Sequence, residues 1–492
     1  MVFSSLIFIT IFLPLCLGAY FVIPALLRLP DESTLKLKNV ILLIFSLVFY
    51  AFGGVYYIAL LLFVVLINFV GGHVIGNSGD SAGYRKAALV LTVSADILVL
   101  FFFKYFNLLI ALIENMFFSG EGSFFTRLFM AEGNGALGFE KIVLPIGISF
   151  YIFQALSYVV DVYLGNAAVQ KNFFRFALYI SFFPQLIAGP IVKYKDIEEQ
   201  IGCRTVNTDL FSDGVIRFCR GLGKKVIIAN TLGEMVDSVW AVDVSTIGAA
   251  TAWFTAICYS FQIYYDFSGY SDMAIGMGKM FGFEFKENFN IPYASSSVRE
   301  FWRRWHISLS SWFRDYVYIP LGGSRKSKAA TYRNIFIVFL LTGIWHGANQ
   351  TFLIWGLVYG VLLILERAFL GKLLESSPLK YISRLTTFTV VTILWVIFRA
   401  DDISLAFSFI ASMFRSGSGD YGLLSFLSLK VIITFIFAFV FSGFFKLKKG
   451  SEKEETKAEY KVIDYVTALV LLVISTILLT NGTYNPFIYF QF

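Results

Sequence analysis

The chain has 492 residues, of which 57% are Ala, Val, Ile, Leu, Met, Phe, Trp, Tyr or Cys and only 15% are charged, with a formal net charge of +7. Soluble domains carry about 25% charged residues, so a soluble enzyme, a disordered chain and a disulfide-stapled secreted domain are all excluded. The composition is that of an integral membrane protein with room for on the order of a dozen helical crossings of ~20 residues each.

Taken in chain order, Met1 to Leu27 carries no charge, and without a basic leading region it reads as a first transmembrane helix and not as a cleaved signal. Asn39 to Asn77 has no charged side chain apart from a proton on His73, and with Gly53 and Gly54 inside it predicts two helices joined by a tight turn. Further apolar runs lie near Ala87 to Phe103, Ile142 to Val160, Phe176 to Val192, Val244 to Tyr265, Thr351 to Leu365, Leu385 to Phe398, Val431 to Phe445 and Tyr465 to Leu479. Most are apolar around their whole circumference, as lipid-embedded helices are. No repeat or pair of similar halves is evident, which weighs against an inverted-repeat transporter. Cys16, Cys203, Cys219 and Cys258 form no CxxC spacing and read as packing residues, with neither zinc nor a disulfide framework indicated.

The basic residues of the connections from Arg299 to Arg333 and from Lys446 to Lys461 place both on the cytoplasmic side. Topology explains these charges without nucleic acid. The crossings between the two connections must then be even in number, so the chain between 335 and 370 is a hairpin. It opens with Ile335 to Trp345, an 11-residue apolar segment of ~16 Å against a hydrocarbon core of ~30 Å. Ending there is W-H-G-A-N, Trp345 to Asn349, which predicts an imidazole, His346, near mid-membrane beside a helix-breaking glycine. An ionisable group at that depth marks a functional site.

His306 lies in R-R-W-H-I-S-L-S, with Trp302, Trp305, Trp312, Arg303 and Arg304 around it, a pattern expected of an amphipathic segment in the membrane interface. Its cations suit either topology or the phosphates of a cytosolic donor. Asp266 and Asp272 interrupt an apolar stretch in Y-Y-D-F-S-G-Y-S-D, and Arg303 or Arg304 are the expected ion partners. Gly278 and Gly282 stand at the GxxxG spacing of close helix contacts. His73, flanked by glycines with no carboxylate nearby, reads as structural.

With L-P-I-G-I-S-F-Y-I-F-Q (144 to 154), F-F-P-Q-L-I-A-G-P-I (182 to 191), F-Q-I-Y-Y-D-F-S-G-Y-S-D-M-A-I-G (261 to 276), E-F-W-R-R-W-H-I-S-L-S-S-W-F-R-D-Y (300 to 316), Y-I-P-L-G-G (318 to 323) and L-T-G-I-W-H-G-A (341 to 348), the chain resembles the membrane-bound O-acyltransferase family, in particular its bacterial alginate-acetylating branch. The resemblance thins beyond about residue 400. It implies an all-α, polytopic bundle of roughly 11 to 14 helices with re-entrant segments around a central tunnel, forming one transmembrane domain over 1–492 with a catalytic core near 140–370 and C-terminal helices at 380–492. It further implies His346 as principal catalytic histidine and His306 as the second active-site position, with Trp305, Arg303, Arg304, Asp266, Asp272, Trp345 and Asn349 lining the site. No metal or bound cofactor is implied. Acetyl-CoA is the implied acyl donor, an SGNH-type acyltransferase outside the cytoplasm the implied partner, an envelope or secreted polysaccharide the acceptor, and the bacterial inner membrane the location.

The residues agree with that chemistry. Attack of a hydroxyl on a thioester needs a base, and a neutral imidazole is the usual one near pH 7. No Gly-x-Ser-x-Gly elbow occurs and no cysteine adjoins either motif histidine, which favours direct transfer over a covalent Ser or Cys intermediate. A multi-pass transporter and a noncatalytic scaffold of a polysaccharide export complex are the rival readings.

Overall fold

A computed structural model of the chain describes residues 1–79, 81–117, 144–371, 380–416, 419, 421–444, 461–482 and 484–488. The helices, in chain order, are α1 (Leu13–Leu27), α2 (Asp31–Ala51), α3 (Tyr56–Asn77), α4 (Ala82–Phe117), α5 (Ile148–Leu164), α6 (Phe173–Ser181), α7 (Tyr194–Gly202), α8 (Thr208–Gly223), α9 (Asn230–Trp240), α10 (Ala249–Met280), α11 (Val298–Arg304), α12 (Ile307–Phe313), α13 (Lys328–His346), α14 (Gln350–Leu365), α15 (Lys380–Arg399), α16 (Ile403–Met413), α17 (Leu429–Phe441) and α18 (Val462–Asn481). Among the described residues the only β pairing is isolated bridges from Ile247 to Gly419 and Tyr421, so the all-α expectation holds. Seven helical segments among those residues are long and apolar enough to cross a membrane: Phe8–Leu27, Asp31–Ala51, Tyr56–Asn77, Ala82–Leu109, Gln350–Leu370, Tyr381–Arg399 and Val462–Asn481. The basic connection from Lys446 lies outside the described residues except for Lys461.

The chain packs as two units. One comprises Glu32–Ile187 with Lys193–Ile201, the other Met1–Asp31, Ala188–Val192 and Gly202–Phe492. In the first, the turn at Gly53 and Gly54 separates α2 from α3 as expected, Gly54 taking φ 134°. His73 has its Nδ1 3.0 Å from the Phe69 carbonyl one turn back, in keeping with a structural role. The run from 176 to 192 is not one helix. It stops at Ser181, and Pro184 opens a separate turn, because proline lacks an N–H and its ring would strike the carbonyl four residues back.

In the second unit α10 is a single helix of 32 residues that carries both Asp266 and Asp272 inside it. The expected partners are corrected here. Asp266 pairs with Lys225 at 2.6 Å, both almost fully buried, while Asp272 pairs with Lys224 at 2.6 Å and Arg217 at 2.8 Å. Arg304 instead pairs with Glu300 one turn earlier at 2.9 Å, and Arg303 is exposed. These cations come from α8 and the π-helical turn Lys224–Ala229 that follows it. Backbone contact makes the reach short. A Cβ on Gly214 or Gly221 of α8 would sit 2.6 Å from the carbonyl oxygen of Gly276 or Gly269 of α10, and the two pairs are antiparallel. The close contact therefore uses these four glycines and not Gly278 with Gly282, since Gly282 lies beyond the end of α10 at φ 86°.

The buried pair also holds the C-terminal segment. Asp266 Oδ2 accepts from the Ile488 N–H at 3.0 Å, Lys225 Nζ donates to the Pro486 carbonyl, and Phe487 stacks on Tyr270 at 4.5 Å. Phe3 stacks on Tyr270 at 4.4 Å, and Asn485 donates to the Ser4 carbonyl at 3.0 Å, so the segments around Phe3 and Phe487 meet on α10. Cys16, Cys219 and Cys258 are buried as packing residues, whereas Cys203 is exposed. Removing one member of a buried pair leaves an uncompensated charge at a cost of about 3–5 kcal/mol. Lys225→Met should therefore collapse the yield of monodisperse protein on size exclusion, and Lys225→Met with Asp266→Leu should recover most of it.

Candidate active site

His306 sits at the junction of two short helices, α11 and α12, in a left-handed conformation at φ 43° that side chains other than glycine rarely adopt. Nearby Ile291, at φ 47°, is a second such residue. Backbone bonds hold this geometry: the Asn290 N–H donates to the Arg304 carbonyl and the Ile307 N–H to the Asn288 carbonyl, both at 2.9 Å. Ser297 caps α11 by accepting from the Glu300 N–H at 3.1 Å, and Glu366 reaches over to accept from the Arg299 N–H at 2.8 Å. A carboxylate at a helix N-terminus is favoured by the aligned peptide dipoles.

Asn288 decides the tautomer of His306. Its Oδ1 accepts from the Ser308 N–H at 3.2 Å and from Ser308 Oγ at 2.8 Å, which identifies that atom as the oxygen. The same oxygen lies 3.1 Å from His306 Nδ1. Nδ1 therefore carries the hydrogen, and the ring's lone pair is on Nε2. The segment is not among the helices long and apolar enough to cross a membrane, and burial pulls the imidazole down to about 3, so it is neutral near pH 7 and serves better as a hydrogen-bond acceptor than as a strong base.

His346 is the last residue of α13, and the helix ends as expected at Gly347. The helix is longer than its apolar part: 19 residues, or ~28 Å, because the polar turn from Lys328 belongs to it. Its hairpin with α14 is tight, a Cβ on Gly356 falling 2.5 Å from the Phe339 carbonyl oxygen and one on Gly343 2.6 Å from that of Phe352. The buried imidazole is edge-on to Trp355 and Phe398, each with ring centroids 5.1 Å away. Trp345 is in ring contact with both histidines, 6.3 Å from His306 and 4.9 Å from His346. Phe267 of α10 stands perpendicular to the His306 ring at 4.6 Å.

The tryptophans around His306 are not lipid anchors. Trp302, Trp305 and Trp312 are all buried, Trp305 against Trp395 at 4.9 Å and Phe289 at 5.1 Å, Trp302 against Trp355 at 5.7 Å. They build an aromatic wall that runs through Trp355 and Trp395 to the Phe398 edge beside His346. The predicted set is thus divided. His306, His346, Trp305 and Trp345 converge, and Arg303 and Arg304 flank them on α11. Asp266 and Asp272 are engaged in the ion pairs of α10, and Asn349 caps α14 while donating to the Asp401 carbonyl at 2.5 Å. Asn288, Ser308, Trp355 and Phe398 were not anticipated; an asparagine-rich turn before Pro292 was the available signal for Asn288. No group of three or more His, Cys, Asp or Glu capable of holding a metal occurs among the described residues.

Two outcomes are expected. Asn288→Ala should lower turnover at least tenfold with little loss of folded yield, since it frees the His306 ring to change tautomer, and Asn288→Asp should restore part of the loss. A histidine buried neutral binds its proton in the unfolded chain first, so stability is present above pH ~6.5 and declines as pH falls below it. Wild-type protein should lose about 2 kcal/mol between pH 6.5 and 5 from this group, and His306→Gln should show a correspondingly flatter unfolding midpoint over that window.

Residues 165–410 match the model of the membrane-bound O-acyltransferase family. Over the full length of both chains the protein is 40% identical to the probable alginate O-acetylase of Pseudomonas putida. It is 34% identical to the peptidoglycan O-acetyltransferase of Helicobacter pylori over 84% of this chain and 80% of the relative, and 30% identical to the teichoic acid D-alanyltransferase of Bacillus subtilis over 46% and 59%. The chain belongs to the membrane-bound O-acyltransferase family, and its chemistry is O-acyl transfer.

Proposed function

We propose that the enzyme moves an acetyl group from cytosolic acetyl-CoA through a tunnel in the inner membrane to O-acetylate an extracytoplasmic polysaccharide, acting with a secreted or membrane-anchored SGNH-type acyltransferase. The observation that carries the reading is the meeting of His306 and His346 around Trp345 inside an aromatic wall. His346 takes the proton of the incoming hydroxyl as its oxygen attacks the thioester carbonyl. The C–S bond then breaks, and the departing thiolate takes the proton back from the imidazolium, leaving ester and free thiol. His306 accepts a hydrogen bond through Nε2 and holds the hydroxyl in line. Arg303, exposed on α11, is available to the phosphates of the donor, whereas Arg304 is already held by Glu300. Relatives named for alginate and for peptidoglycan acetylation support a polysaccharide acceptor.

General-base catalysis contributes about 10²–10⁴ in rate. His346→Ala should therefore cut thiol release from acetyl-CoA by at least 100-fold at wild-type folded yield, measured with purified enzyme and its partner. Wild-type turnover by that variant would remove the proposal. Arg303→Glu should raise the apparent KM for acetyl-CoA with kcat little changed, and an unaltered KM would remove the donor role of that side chain.

A further inference from the structure

The unit of Glu32–Ile187 with Lys193–Ile201 contains a polar level that acyl transfer does not explain. Asn68 of α3 and Asp96 of α4 are both completely buried. The Asn68 amide donates one hydrogen to the Val64 carbonyl of its own helix at 3.0 Å and the other to Asp96 Oδ1 at 2.8 Å. Both amide hydrogens and one carboxyl oxygen are then used. Left over are Asn68 Oδ1 and Asp96 Oδ2, two acceptors without a hydrogen-bond partner among the described residues. The pair lacks one donor hydrogen.

Its surroundings are polar as well. On α3, Gly72 abuts Tyr158 of α5 and Gly76 abuts Val162, a parallel register that places Gln154 at the level of Asn68. Gln154 is completely buried, and neither atom of its amide has a partner among the described residues. Of the titratable groups, α5 presents Tyr151 within electrostatic reach of Asp96, and α2 presents Tyr50, whose ring centroid is 6.3 Å from that of Tyr151. α3 presents no titratable side chain at the level of Asn68, and the next charged residue along α4 is Lys104, two turns on.

We propose that Asp96 is an intramembrane proton-binding site. The proton on Oδ2 supplies the missing donor to Asn68 Oδ1, so acid and amide form a two-bond pair that joins α3 to α4. An ionised carboxylate with only an amide for partner is disfavoured in lipid, and intramembrane carboxyls beside other polar groups are the usual carriers of protons. Losing the proton would set two acceptors against each other and loosen the α3–α4 contact. An asparagine at 96 replaces the O–H by an N–H and preserves the pair at any pH.

The test is the infrared spectrum of purified full-length protein at neutral pH. A protonated-carboxyl C=O band should be present in the wild type, absent in Asp96→Asn, and shifted upward in Asn68→Leu, where the amide partner is gone. Asp96→Asn should also fold normally and exceed wild-type thermal stability at alkaline pH. A wild-type spectrum identical to that of Asp96→Asn in the acid region would overturn the proposal, as would failure of Asp96→Asn to fold. A sodium-dependent wild-type melting point that Asp96→Asn abolishes would assign the site to a metal cation instead, and would equally overturn it.

Discussion

Neutralising two carboxylates inside one apolar helix is the constraint on which the larger unit depends. α10 can run unbroken for 32 residues through Asp266 and Asp272 because α8 and its π-helical extension bring Arg217, Lys224 and Lys225 within 2.6 to 2.8 Å. That reach requires the helices to touch backbone to backbone, which the glycine pairs 214 with 276 and 221 with 269 allow. The Asp266–Lys225 pair then binds the C-terminal segment, whose backbone supplies further hydrogen-bonding groups beside the Asn230 side chain that Lys225 also meets. One electrostatic requirement thereby sets helix choice, packing distance and the placement of residues Pro486 to Ile488. Satisfying every lone pair and proton is what makes a buried ion pair tolerable.

The same helix supports the candidate site, since Phe267, next to Asp266, packs against the ring of His306. Around that histidine the backbone adopts two left-handed residues, His306 and Ile291, each costing on the order of 1–3 kcal/mol. The paired bonds between 288–290 and 304–307 hold them there. Strain so placed aims an imidazole that an ordinary helix would carry along its side, and Asn288 then fixes which nitrogen carries the lone pair. His346 is aimed differently, by the termination of α13 at Gly347 and the close approach of α14.

Hydropathy makes most of the apolar helices legible, including α1, the α2–α3 turn and the hairpin that turns after His346, because an apolar run of helix length has few other uses. It was silent on α8, α9 and α16, whose polar or short stretches owe their helicity to tertiary partners. The break at Pro184 was obscured by the apolar residues on either side of it. The arginines nearest the histidine motif are the partners of Asp266 and Asp272 that the sequence suggests, yet the actual cations lie about 40 to 55 residues before the carboxylates, on α8 and its π-helical extension; sequence proximity does not say which helices pack. The three tryptophans near His306 illustrate the same limit, since interface belts and aromatic cores have the same composition and only burial separates them. Scarcity, three in the whole chain, singles out the histidines that the structure brings together around Trp345, whereas Asn288 contacts His306 from a loop that no spacing announces.

The central claim is that His306 and His346 act as one unit on one reacting hydroxyl. A double-mutant cycle on thiol release tests it most directly, using His306→Ala, His346→Ala and the double variant, each shown to be folded. Residues that act together lose their effect together, so the double variant should be about as slow as His346→Ala alone. Losses that simply multiply would place the two histidines in independent roles and contradict the account.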